Sequence, residues 1–104
     1  MRVVTILALA AGVGWSFGAH AQDAGEAAIK KSGCLKCHSV SADKDGPAFK
    51  KTAAKYKGKA DGAATVQGEL KSGMMKVDGK DVKHAAFKGS DAELKSVVAY
   101  ILSR

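Results

Sequence analysis

The chain has two cysteines, and both fall in Cys34-Leu35-Lys36-Cys37-His38, with a histidine directly behind the second. Two thiols and an imidazole this close together form a donor set, and several chemistries compete for it. A thioredoxin-type redox pair needs a βαβ setting, whereas the residues around this motif have helical periodicity. A disulfide closed over two intervening residues would add little stability. Structural zinc normally takes four ligands. Cys34, Cys37 and His84 make three, and His38, adjacent to Cys37, is poorly spaced to be the fourth. The remaining chemistry is addition of both thiols to the vinyl groups of a haem, with His38 on the iron, for which C-x-x-C-H is the attachment signature. Sulfurs about one helical turn apart suit neighbouring vinyls, and a histidine just after the second sulfur is carried beneath the metal.

The segments that must position this motif can be read on either side of it. Met1-Arg2 is followed by the apolar run "VVTILALAAGVG" and by Ala19-His20-Ala21. A short basic start, an apolar stretch too short to span a bilayer comfortably and an A-x-A site predict a secretory signal peptide over residues 1–21. Cleavage would leave residues 22–104 as one domain and would remove Arg2, so that 16 basic face 10 acidic residues, a net charge of +6. A domain of that size buries a modest core and often needs a metal or cofactor as a staple.

"DAGEAAIKKSG" has Asp23 and Glu26 at capping-box spacing and Gly33 as a stop, so a helix should deliver the chain into Cys34. A second helix is expected from Pro47, which suits a first helical turn, with Phe49, Ala53 and Tyr56 at helical spacing. A third lies between Asp61 and Gly73, with Val66 and Leu70 on one face. The last has the S-x-x-E box of Ser90 and Glu93, and Leu94, Val97, Val98, Ile101 and Leu102 form its apolar stripe. Strand character is confined to "MKVDGKDV". Asp78-Gly79 predicts a tiny hairpin near 75–82, pairing Val77 with Lys80, Lys76 with Asp81 and Met75 with Val82.

With "CLKCH" following the first helix, "DGPAF" shortly after it and "SDAELKSVVAYILS" at the end, residues 22–104 resemble the small bacterial class I cytochromes c. The resemblance implies an all-α fold of about four helices around one covalent haem c, with Cys34 and Cys37 as the thioether residues and His38 as the proximal iron ligand. It implies that the first and last helices cross, with Tyr100 and Ile101 meeting the first helix around Ala27 and Ala28. It also assigns to Pro47, the chain's only proline, the carbonyl that accepts a hydrogen bond from the proximal imidazole. The distal ligand departs from the family pattern. Relatives carry a methionine in a proline-rich loop about six residues before the serine that caps the last helix. Here that position is His84, and no proline is near. Met74 and Met75 fall nine or ten residues earlier, at the start of the hairpin. His84 is therefore the expected distal ligand, with Met75, Met74 or an open or Lys83-ligated site as alternatives.

Two filled axial positions leave the metal only electron exchange, and no nucleophile constellation, acid/base pair or phosphate loop is visible. The expectation is thus a periplasmic one-electron carrier, not an enzyme, of low potential if a second imidazole is bound. Lysines such as Lys36, Lys44, Lys57 and Lys83 would steer an acidic redox partner. No nucleic acid, no membrane span after cleavage and a monomer are expected. The alternative is a haem-based gas or ligand sensor whose distal residue dissociates.

Overall fold

The computed structural model describes residues 18–104. Residues 1–17 of the expected signal peptide lie outside the described residues. Helix α1 spans Gly18–Lys31. It starts earlier than the Asp23–Glu26 spacing suggested, because Ala19 and Ala21 are strong helix formers that carry the helix past Asp23 toward the N-terminus. Glu26 pairs with Lys30 one turn on, at 2.9 Å. At the other end Ser32 N–H donates to the Ala28 carbonyl (2.9 Å), and Gly33, at φ +73°, takes the left-handed conformation that lets the chain turn out of the helix.

The motif follows at once as a single 3-10 turn, Cys34–Lys36. Helix α2 covers Phe49–Tyr56, so it starts two residues after Pro47, which stands just ahead of the N-cap instead of in the first turn. Helix α3 runs Gly62–Ser72 and ends at Gly73, again left-handed. Strands β1 (Met74–Val77) and β2 (Lys80–Lys83) then pair antiparallel in the register read from the sequence, with Met75 opposite Val82 and Lys76 opposite Asp81. Asp78 and Gly79 both have positive φ, 49° and 77°, the backbone that a two-residue hairpin turn requires. Helix α4, Asp91–Leu102, carries the full capping box: Ser90 Oγ accepts from Glu93 N–H, and the Glu93 carboxylate accepts from Ser90 N–H. The result is four helices and one small hairpin, a mostly helical fold.

Helix α4 is the central post. Its Leu94, Val97, Val98, Tyr100 and Ile101 are all buried. Val97, Tyr100 and Ile101 pack with Ala28, Ile29 and Phe49, while Leu94 and Val98 pack with Val66. Leu70 and Phe87 touch both groups and join them. The α1–α4 crossing is tight at Gly25, where a Cβ would lie 2.6 Å from the Ser96 carbonyl oxygen and 2.7 Å from Tyr100 Cβ. Ala28 is buried in one cluster with Tyr100 and Ile101, whereas Ala27 is exposed.

Candidate haem-binding site

The 3-10 turn ends by carrying His38 N–H to the Cys34 carbonyl, at 3.0 Å. Cys34 is half-buried and Cys37 exposed, and the two are not joined in a disulfide. The loop after the motif is tied down from several sides. Gly46 N–H donates to the Cys37 carbonyl (2.8 Å) and Phe49 N–H to the Ser39 carbonyl (2.9 Å). Asp43 Oδ1 accepts from Ala48 N–H at 2.9 Å, and its other oxygen meets Lys51. The Lys51 ammonium, then the Ala48 N–H, hold the Asp43 carboxyl below the usual carboxylate range. Lys44 Nζ reaches back to the Leu35 carbonyl, at 3.0 Å.

These ties fix the His38 ring. Nδ1 donates to the Pro47 carbonyl at 2.7 Å. Phe49 stacks on one side, ring centroids 5.4 Å apart at 21°, and Phe49 in turn meets Tyr100 of α4 edge-on, at 6.4 Å and 90°. Gly46 backs onto the ring so closely that a Cβ there would sit 2.2 Å from His38 Cε1.

His84 comes from the hairpin. Its N–H donates to the Gly73 carbonyl (2.8 Å), which extends the β1–β2 ladder by one rung. Its Nδ1 donates to the Ala85 carbonyl, also at 2.8 Å. Its ring lies 5.9 Å from the His38 ring, centroid to centroid, at a tilt of 36°. Side chains opposite one another in an antiparallel pair share a face, and the faces alternate along each strand. Gly73, Met75, Val82 and His84 therefore share one face, and Met74 and Lys83 the other. Met75 is half-buried and Met74 exposed.

A haem fits these residues. Both imidazoles spend Nδ1–H on a backbone carbonyl, the arrangement that leaves Nε2 with a free lone pair and orients the ring for a metal. An imidazole nitrogen sits about 2 Å from a bound metal and about 1 Å from its ring centre, so two imidazoles on opposite sides of one ion have centres about 6 Å apart. The observed 5.9 Å matches that spacing. Of the large apolar side chains left exposed, Leu35 lies in the motif, and Val77 and Val82 share the hairpin face of His84, apolar area that a flat ring on that face would cover, while Met74 is exposed on the other face. Among the described residues no three His, Cys, Asp or Glu side chains converge to hold a metal unaided. A zinc centre built on Cys34, Cys37 and His84 therefore lacks its ligand set, whereas iron in a porphyrin asks the protein for only two.

The site is thus that of a c-type haem protein. The model of the family described as Cytochrome c matches residues 22–104. Cytochrome c-552 of Hydrogenobacter thermophilus is 38% identical over 80 residues, 77% of this chain and 81% of the relative. Cytochrome c-551 of Pseudomonas aeruginosa is 33% identical over 96 residues, 92% of this chain and 90% of the relative. Among solved structures, class 1 cytochrome MtoD from Sideroxydans lithotrophicus ES-1 is similar at a TM-score of 0.68 and 40% identity, over 78% of this chain and 92% of MtoD. The chain belongs to the cytochrome c family and is a small class I monohaem cytochrome. It carries one covalent haem c with iron, and it is an electron carrier and not an enzyme.

Sequence reasoning passed over Asp43 and saw only part of what Gly73 and Gly46 do. Asp43 anchors the Pro47–Ala48 segment from an irregular loop that has no periodic signal. Gly73 ends α3 and also packs against His84, whose carbonyl oxygen would be 2.8 Å from a Cβ there. Gly46 was noted only as a glycine before a proline, and its contact with the imidazole becomes visible only in three dimensions.

Proposed function

We propose that this cytochrome is an exported one-electron carrier with His38 and His84 as its axial ligands and a low reduction potential. The observation that carries the reading is the pair of imidazoles 5.9 Å apart, each with Nδ1 given to a backbone carbonyl. Bound haem supplies a ferric/ferrous couple, and a second imidazole in place of methionine lowers its potential. Cys34 and Cys37 hold the ring covalently, Pro47 orients the proximal imidazole, and the β1–β2 ladder holds the distal one. Strand alternation argues against Met74 and Lys83, which lie on the face opposite His84. Met75 shares that face and is the one alternative ligand with support, through its diagonal position across the strand pair.

Export rests on the A-x-A site ending at Ala21 and on the family match that starts at residue 22. The domain proper is then residues 22–104, working in the periplasm as a monomer that meets acidic redox partners. Among the described residues no helix is long and apolar enough to cross a membrane.

Absorption and electron paramagnetic resonance spectra of the oxidised protein test the ligand pair. Low-spin ferric signals without the long-wavelength methionine-to-iron band are expected. His84→Ala should become high-spin and bind carbon monoxide when reduced, while Met75→Leu should leave the spectrum unchanged. A methionine band that disappears in Met75→Leu would refute His84 as the ligand. Rapid carbon monoxide binding by the unmodified protein would favour the ligand-sensor reading instead.

A further inference from the structure

Away from the two imidazoles, the end of α2, the turn into α3 and the last residues of α4 enclose an open groove of about 580 Å³. Tyr56 and Leu102 contribute apolar surface to it, and Lys50, Lys57, Lys59 and Arg104 contribute positive charge; no side chain lining it is acidic. Five lysines outside the groove, Lys30, Lys31, Lys51, Lys71 and Lys76, each pair with a carboxylate, whereas among the described residues others, Lys36, Lys83 and Lys88 included, do not. Among the described residues none of the four groove cations pairs with a carboxylate either; what distinguishes the groove is that its cations share one concave surface with no acidic side chain in its lining. Arg104 comes near enough to Glu26 to contribute slightly to that carboxyl's lowered pKa, but the ion pair of Glu26 is with Lys30.

Two of the cations, Lys59 and Arg104, are held in place by the fold. Tyr56-Lys57-Gly58-Lys59 is a type II turn: Lys57 has φ −58° and ψ 126°, Gly58 has φ +77°, and Lys59 N–H donates to the Tyr56 carbonyl at 3.0 Å. This turn needs positive φ at its third residue, which glycine supplies. Lys59 Nζ lies over the Tyr56 ring, 5.8 Å from its centroid. The Arg104 guanidinium lies 4.2 Å from the Tyr100 centroid, with Nε donating to the Tyr100 carbonyl at 3.2 Å. Cations that line one groove with no acidic side chain among them give it a positive potential that attracts a polyanion.

We propose that this groove receives a carboxylate-rich segment of the protein with which the cytochrome exchanges electrons. The proposal rests on the carrier reading above and adds to it a docking point away from the imidazoles. Phe49 stacks on His38, and Tyr56 lies about 10 Å further along α2 at 1.5 Å per residue, so an occupant of the groove leaves the region of the imidazoles clear. An extended acidic segment fits better than a small anion because the cations are spread around an apolar, tyrosine-containing surface of the size that accommodates a sizeable ligand.

The test uses haem-loaded protein and a hexaglutamate peptide, followed by amide chemical shifts at low and physiological salt. Shifts concentrated at 56–63 and 102–104 are expected. Lys57→Glu/Lys59→Glu should weaken binding on the order of tenfold or more, and the milder Lys57→Gln/Lys59→Gln should weaken it less. Lys88→Glu/Lys95→Glu, which changes net charge equally elsewhere, should alter it by less than about twofold. Equal weakening by the two charge-reversed variants, shifts centred on Lys36 and His84, or inorganic phosphate that displaces the peptide at equal concentration would each overturn the groove. Reversible one-electron reduction, recorded on the same samples, tests the carrier reading separately. Lost peptide binding with intact reduction rejects the groove alone, and absent reduction in the unmodified protein rejects both.

Discussion

Replacing Gly25 by alanine should destabilise the protein even though alanine is the better helix former. The added Cβ would lie 2.6 Å from the Ser96 carbonyl oxygen and 2.7 Å from Tyr100 Cβ. The first is about 0.8 Å short of the 3.4 Å at which ordinary contact begins. Neither neighbour is the free tip of a side chain, because one is backbone and the other is the rooted first carbon of Tyr100. Relief therefore requires α1 and α4 to move apart, which loosens Ile29, Val97 and Ile101 as well. Overpacking of this kind costs about 1–3 kcal/mol, and alanine in place of helical glycine returns up to about 1 kcal/mol. The net expectation is a loss of about 1–2 kcal/mol, or a fall in Tm of at least about 4 °C for a domain of this size. Gly68, in the interior of α3, has nothing within 4 Å of its would-be Cβ. There the propensity term acts alone, and Gly68→Ala should be stabilised by up to about 1 kcal/mol. Guanidinium unfolding of the two haem-loaded variants, followed by far-ultraviolet circular dichroism, compares them directly. Covalent attachment keeps the haem in the unfolded chain, so the reference state is shared. A Gly25→Ala variant as stable as Gly68→Ala would refute the tight crossing.

The other expectations concern the ligand loop and the last helix. Gly46→Ala would place a Cβ 2.2 Å from His38 Cε1, and a ring tied to the Pro47 carbonyl and stacked on Phe49 has little room to retreat, so the cost should reach about 3 kcal/mol, with an altered ferric spectrum if His38 binds the iron as proposed. Unchanged melting and spectrum would contradict it. Asp43 has its folded pKa depressed by Lys51 and the Ala48 N–H, so its contribution is complete above the ordinary aspartate range and is lost as pH falls through the lowered folded value. Asp43→Asn should therefore flatten the stability profile in that acid window, as measured by unfolding at a series of pH values. Ser90→Ala removes the acceptor for Glu93 N–H and should cost about 1 kcal/mol, read as a lower guanidinium midpoint.

Local chemistry was legible in the sequence wherever one or two residues dictate a backbone shape. Asp78-Gly79 needs two positive φ values, and from that requirement the whole β1–β2 register follows. Ser90 and Glu93 mark the start of α4, and Gly33 and Gly73 mark the ends of α1 and α3. What depends on how elements meet was less visible. Periodicity shows which face of α1 is inward, and Ala28 does meet Tyr100 and Ile101, but how closely two helices approach is set by their axes, and the tight contact at Gly25 carries no periodic signal. The start of α1 was misplaced because the alanines before Asp23 favour continuing the helix as much as Asp23 favours capping it. The helical start expected at Pro47 fails for a related reason. Its carbonyl is drawn to His38 Nδ1, and α2 begins only after that bond is made.

The His84 side of the site shows the two kinds of information acting together. Counting back from the capping Ser90 singles out His84, but a count cannot say where the ring points. The hairpin adds the direction. With Asp78-Gly79 at the turn, each residue of β2 has a fixed face, and the His84 N–H bond to Gly73 continues that alternation past the last strand residue. Gly73 has no side chain, which lets the His84 backbone pack closely against it, since a Cβ there would lie 2.8 Å from the His84 carbonyl oxygen, and its left-handed φ of 74° is what turns α3 into β1. One glycine therefore ends a helix, starts a strand and lets the backbone that carries an imidazole come close. A methionine loop rich in proline lacks the backbone N–H groups needed for such a ladder. The proline-free "VKHAAFKGSD" segment retains them, and the hydrogen-bonded ladder they form holds the His84 ring within 5.9 Å of the His38 ring.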